Sequence, residues 1–97
     1  MATADEPPPR DLISARAFER DLKRLRKRGV DLEPLWAVVE ALRLRHPLAA
    51  RHRDHALTGD WKGFRDCQIQ ADWVLIDSLD DEAVYLTRTG THSDLFG

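Results

Sequence analysis

The chain changes its hydrophobic period near its middle, and that change restricts the fold more than any other feature. Up to Leu42 apolar residues return every three or four positions, first as Ala15, Phe18, Leu22 and Leu25, then as Leu32, Leu35, Trp36, Val39 and Leu42. This is the spacing of helices with one packed face. From Phe64 onward the apolar positions fall in short extended runs, near Phe64–Gln70, Trp73–Ser78 and Ala83–Thr89, which read as strands. Ser14 is placed to cap the first helix, Gly29 to stop it after Arg28, and Asp31 with Pro34 to open the second. The Gly29–Val30 link is short enough to predict a helical hairpin. Short Asp-rich links between the strands predict antiparallel neighbours, and the apolar run Trp73–Ile76 suits a central strand covered on one side by the helices. The fold class expected is therefore α+β, a two-helix hairpin packed on a twisted antiparallel sheet of about four strands.

A chain of 97 residues fits one domain, here residues 11–97. Residues 1–10, with three consecutive prolines, read as a flexible lead, followed by a short extended run at Asp11–Ile13. The stretch His46–Lys62 is polar and broken by Pro47 and Gly59, and reads as a connecting loop with a helical turn. No apolar run approaches the roughly 18 residues that span a bilayer, and the acidic, proline-rich start lacks the pattern of a signal peptide, so a cytoplasmic protein with no membrane partner is expected. The lone Cys67 is a weak nucleophile candidate. Residues 1–65 carry fourteen Lys or Arg against ten Asp or Glu, whereas residues 66–97 carry one against seven. Such asymmetry hints at a polyanion-binding face, for which Arg16, Arg20, Lys23, Arg24 and Lys27 of the first helix are the candidates.

Four polar residues stand where loop, strand ends and tail can converge: His55, Asp72, Arg88 and His92. They suit phosphodiester chemistry. Cutting RNA through its own 2′-hydroxyl needs a base for that proton, an acid for the leaving 5′-oxygen, and positive charge at the phosphate. Histidine exchanges protons near neutral pH, and arginine matches two phosphate oxygens; Asp72 can orient a histidine or act as base. Strand parity puts Arg88 in phase with Val84 and Leu86, facing the helices, unless a bulge or strand end near Thr87 re-aims it. Trp61, Trp73 and Phe96 are candidates for stacking on bases, although the surroundings of Trp36 and Trp73 also suit a core. His46, His52 and His55 lie close together with Asp54, but His52 and His55 miss the i, i+4 spacing of a helical zinc pair. Neither metal nor cofactor is expected.

Three blocks of sequence are distinctive. The run Asp54-His55-Ala56-Leu57-Thr58-Gly59-Asp60-Trp61-Lys62-Gly63-Phe64-Arg65-Asp66-Cys67, the strand Asp72-Trp73-Val74-Leu75-Ile76, and the ending Arg88-Thr89-Gly90-Thr91-His92-Ser93-Asp94-Leu95-Phe96 resemble the YafQ-type toxins of the RelE superfamily, and Phe18-Glu19-Arg20-Asp21-Leu22-Lys23-Arg24-Leu25 is similar too. The resemblance implies a RelE-like fold and a metal-free ribonuclease that cuts mRNA in the ribosomal A site of the 30S subunit. It implies a cognate antitoxin as partner, with operator DNA reached only through that antitoxin, and ribosomal RNA as the target of the basic first helix. By matching position it implies His55, Asp72, Arg88 and His92 as catalytic, with Arg88 on the phosphate. Proton transfer and orientation fall to His55, Asp72 and His92 in a division left open, with Phe96 and Trp73 placing the RNA.

Two positions depart from the family pattern. Gln68 stands where a histidine is usual; an amide hydrogen-bonds but exchanges no proton. The task passes to His92 or His55, the chemistry slows, or the protein is an inactive relative that acts only as an antitoxin-binding co-repressor. Asp77 stands where the family strand tends to carry tyrosine, and if exposed it weakens RNA affinity slightly.

Overall fold

A computed structural model describes residues 7–97, so most of the expected flexible lead, residues 1–6, lies outside the described residues. Arg10 closes that segment and is anchored: its backbone N–H donates to Arg43 O at 2.8 Å, and its guanidinium to the carbonyls of Asp80 and Leu42. The order of elements is β1 (Asp11–Ser14), α1 (Arg16–Lys27), α2 (Glu33–Arg43), β2 (His55–Ala56), β3 (Arg65–Gln70), β4 (Trp73–Leu79), β5 (Ala83–Gly90) and α3 (His92–Phe96). Two 3-10 turns, Ala50–His52 and Gly59–Trp61, flank β2, so the expected loop from His46 to Lys62 holds an edge strand as well as helical turns.

The sheet has five strands, not about four, and it is mixed, not antiparallel. Its order is β1-β5-β4-β3-β2, with β1 parallel to β5 and the other pairs antiparallel. Sheet pairing also claims Ser14, the expected helix cap. Ser14 closes β1, and Ala15 caps α1 without a side-chain bond while its N–H reaches Leu86 O. Gly29 acts as expected, whereas Asp31 stands one residue before Leu32, the N-cap of α2, which has no side-chain cap bond. Gly29 adopts φ 76° and closes α1 in a Schellman motif, with Gly29 N–H on Arg26 O and Val30 N–H on Leu25 O. Asp31 Oδ1 accepts from Glu33 N–H at 3.1 Å at the start of α2, and Phe18 of α1 meets Trp36 of α2 edge to face.

Alternation along β3 and β4 sends residues to two cores. Cys67, Ile69, Trp73 and Leu75 join Phe18, Leu22, Leu25, Leu35 and Val39 beneath α1 and α2. Val74 and Ile76 face the other way and are covered by Leu95 of α3, with Leu57, Trp61 and Phe64 around them. The expectation of one covered face is thus corrected, because the tail folds into a third helix that closes the second face.

Asp77 is fully buried, so it does not weaken RNA affinity as an exposed acid would. Arg65 Nε reaches its Oδ1 at 3.2 Å and the Cys67 thiol its Oδ2 at 3.4 Å, while Arg65 Nη2 ties Asp54 at 2.8 Å. Burial pushes the Asp77 carboxyl up despite the attraction of Arg65. Burial also pushes up the Cys67 thiol, helped by Asp77 and Asp54, which suits an inert cysteine. The folded chain holds the Asp77 proton more tightly than the unfolded one, so this residue's contribution to stability falls as pH rises from the ordinary carboxylate value, about 3.9, through the raised one. Asp77→Asn keeps the shape and removes the charge. It is expected to raise Tm at neutral pH and to give no gain in acid, where Asp77 is already protonated. Thermal unfolding at both pH values checks this, each kcal/mol moving Tm about 4–8 °C in so small a domain. An unchanged or lower Tm at neutral pH would show that Arg65 compensates the buried charge in full.

Candidate active site on the sheet

On the face away from α1 and α2, sheet register puts the polar residues in rows. His55 lies opposite Asp66, Asp66 opposite Ile76, and Ile76 opposite Arg88. Residues paired in this way share a face, and three strand spacings make the row roughly 14 Å long. The next row holds Gln68, Val74 and Gly90, after which the chain runs into α3 and His92. The row exists because β5 slips by one residue against β4: Asp77 pairs with Leu86 but Ile76 with Arg88. Thr87 is the extra residue, the bulge that Arg88 requires. The parity of Arg88 with buried Val84 and Leu86 is broken there.

Arg88 is not free. Its Nε and Nη2 donate to the two oxygens of Asp21 at 2.7 and 3.1 Å, and Thr89 N–H donates to the same carboxylate at 3.0 Å. Asp21 is 1% exposed, on the packed side of α1. The sequence offers a faint sign of it, an acid in step with Phe18 and Leu25 on a mostly basic helix.

His92 opens α3 and pairs with Asp72, Nδ1 to Oδ1 at 2.8 Å, while its backbone N–H reaches the same oxygen at 3.2 Å. These two hydrogen bonds hold the Asp72 carboxyl below its usual range. A carboxylate only accepts, so Nδ1 carries the proton and Nε2 is left to the open side. Both side chains are more than half exposed. The start of α3 is fixed by a capping box, with Asp94 N–H on Thr91 Oγ1 and Thr91 N–H on Asp94 Oδ2, both at 3.0 Å. Arg28 of α1 then clasps Asp94 through both oxygens at 2.9 and 3.1 Å, which drives that carboxyl well below its usual range. A side chain at position 90 would put Cβ 2.9 Å from Asp94 Oδ2, so glycine is required there.

His55 is exposed, with Nδ1 2.6 Å from Arg53 O. A carbonyl likewise only accepts, which again leaves Nε2 outward. His52 by contrast is buried and its Nδ1 meets Gln68 O at 2.6 Å, pinning the edge of β3. Gln68 Nε2 donates to Ala71 O at 3.0 Å. Phe96 is 43% exposed and lies against Trp61 at 5.8 Å and His92 at 6.1 Å between ring centres. Trp73, expected beside the RNA, is instead buried, its indole N–H spent on Thr89 Oγ1 at 2.9 Å. It supports the site from below and offers no stacking surface. Of the basic candidates on α1, Arg16, Arg20, Lys23 and Lys27 are exposed. Arg24 turns inward, 3.5 Å from Asp21 and 3.9 Å from Asp94.

Residues 10–97 match the family described as a bacterial toxin of a type II toxin-antitoxin system, YafQ. The chain belongs to the YafQ toxin family. It is 38% identical over 89 residues to the mRNA interferase toxin YafQ of Escherichia coli K12, covering 91% of this chain and 97% of that protein. The crystal structure of YafQ from E. coli BL21(DE3) superposes with a TM-score of 0.86 at 38% identity, over 91% of this chain and 99% of that one. The E. coli DinJ-YafQ toxin-antitoxin complex matches with a TM-score of 0.84 at 39% identity, over 92% and 99%. The YafQ relationship thus covers both helices of the basic half and the whole polar face. Among the described residues no helix is long and apolar enough to cross a membrane.

Proposed function

We propose that the chain is an endoribonuclease toxin that cuts mRNA in the ribosomal A site, held in check by a cognate antitoxin. The observation that carries this reading is the exposed Asp72–His92 pair in a family whose E. coli member is named an mRNA interferase, with Arg88 partly exposed on the preceding strand β5. The DinJ-YafQ complex supports the antitoxin as partner. Arg88 neutralises the phosphate. Asp72 compensates the charge of a His92 imidazolium, which makes His92 the acid: its Nε2 proton passes to the 5′-oxygen as the P–O5′ bond breaks. His55, whose Nδ1–H faces a neutral carbonyl, offers an Nε2 lone pair to the 2′-hydroxyl proton as the 2′-oxygen attacks phosphorus. Phe96 stacks on the RNA beside His92. Arg16, Arg20, Lys23 and Lys27 contact ribosomal RNA phosphates, an attraction that weakens with salt.

Purified protein, translating ribosomes and a defined message test this. Cleavage within the A-site codon is expected, and an intact message would sink the enzymatic reading. Gln68 favours one alternative, a weakened or inactive relative that keeps the antitoxin partner and serves as co-repressor. On that alternative, induced expression leaves growth unaffected; the ribonuclease reading expects arrest.

A further inference from the structure

We infer that Asp21 is the positioning residue of the active site, and that α1 acts as its scaffold through two carboxylate clasps, Asp21 on Arg88 and Asp94 on Arg28. The inference rests on the phosphate role proposed for Arg88. Nothing in a helix of this kind requires a buried acid: Asp21 lies among Phe18, Leu22 and Leu25, where burial of an unpaired carboxylate is costly. Three hydrogen-bond donors hold it, all from two adjacent residues of β5, Arg88 Nε, Arg88 Nη2 and Thr89 N–H, and Arg24 Nη1 of its own helix adds an ion pair at 3.5 Å.

The geometry fixes what Arg88 can do. A guanidinium offers five N–H groups in a planar fork, and the Nε–Nη2 edge is taken by Asp21. Nη1 has no partner among the described residues, and Nη2 keeps its second N–H. Arg88 therefore meets a phosphate through its Nη1–Nη2 edge, with the Nε–Nη2 edge locked to α1. Arginine side chains lose much rotamer freedom on fixation, and that loss is incurred in folding, before RNA arrives. The second clasp has the same logic: Arg28 holds Asp94, and Asp94 sets the start of α3, which carries His92 and Phe96. Phosphate group and acid are thus both aimed from α1, although neither belongs to it.

A double-mutant cycle tests the first clasp, with single-turnover cleavage of a ribosome-bound message as the rate. Asp21→Asn keeps an oxygen for Thr89 N–H but removes the charge. It is expected to slow cleavage on the order of tenfold to a hundredfold, the cost of a misplaced reacting group, with ribosome affinity unchanged. In an Arg88→Ala background the same substitution is expected to change the rate no further, because its effect travels through Arg88. In parallel, NMR should show an Arg88 Nε–H held in slow exchange in the parent chain and lost in Asp21→Asn. Equal losses in both backgrounds, a rate at or above the parent's, or a persisting Nε–H signal would each overturn the inference. If Asp21→Asn does not fold, Asp21→Glu displaces the guanidinium with the charge kept and serves the same cycle. A parent chain that leaves the message intact counts against the proposed ribonuclease instead, and the NMR comparison still decides the clasp.

Discussion

Replacing His92 by alanine is expected to lower the rate of message cleavage about 10²- to 10⁴-fold, the usual worth of a positioned acid or base, with ribosome binding preserved. His92 combines a fixed orientation, a carboxylate partner and a free ring nitrogen. Asp72 takes Nδ1 at 2.8 Å and the backbone N–H of the same residue at 3.2 Å, so one carboxylate oxygen fixes both the ring and its backbone. Alanine removes the proton carrier but leaves Thr91 and Asp94, which cap α3, in place. Asp72→Asn is expected to cost less, since the ring keeps its place on the helix and loses only its charged partner. Single-turnover cleavage separates the two, and growth arrest on induction should vanish with His92→Ala. A variant that cuts at the parent rate would remove His92 from the chemistry.

Gln68→His is expected to act in the opposite direction, raising the rate on the order of 10²-fold. Position 68 shares a row with Val74 and Gly90 and is next along the same face from Asp66, which pairs with His55. Its backbone is already pinned by His52 at 2.6 Å, so an imidazole there projects from a fixed point. Glutamine spends its amide on Ala71 O and exchanges no proton. The rate-versus-pH curve should gain a limb near the histidine value, about 6.5. An unchanged rate and curve would show that the position is dispensable and that His55 and His92 suffice. A harmless parent with a growth-arresting Gln68→His variant would identify the natural chain as the weakened toxin.

Most elements were legible in the sequence because their signals are local. The apolar stripes gave α1 and α2, Gly29 gave the end of α1, and the extended runs gave β3, β4 and β5 to within a residue or two. Arg88, in phase with buried Val84 and Leu86, pointed to a bulge near Thr87, where the register shifts. What escaped depends on distant partners. Asp11–Ser14 shows no alternation and is exposed along its length, so nothing local announces a parallel partner in β5. Asp21 and Asp77 look like surface acids, and only the sheet and Arg65 explain their burial. The helix α3 is a partial exception: Thr91-His92-Ser93-Asp94 carries the signature of a capping box, a weak signal in so short a tail. Of the candidate site, Asp72 and His92 pair directly and His55 and Arg88 share a row of the sheet register, but their supports Asp21 and Arg28 come from α1.

That separation bears on when the protein can become harmful. Asp21 and Arg88 are 67 residues apart, as are Arg28 and Asp94 nearly so at 66. Contacts so distant form late and slowly in folding, and during synthesis the segment carrying Arg88, His92 and Phe96 emerges well after α1. A nascent chain can already hold α1 and α2 while its active face is still absent. The candidate active face is therefore completed only when two clasps spanning most of the domain have closed.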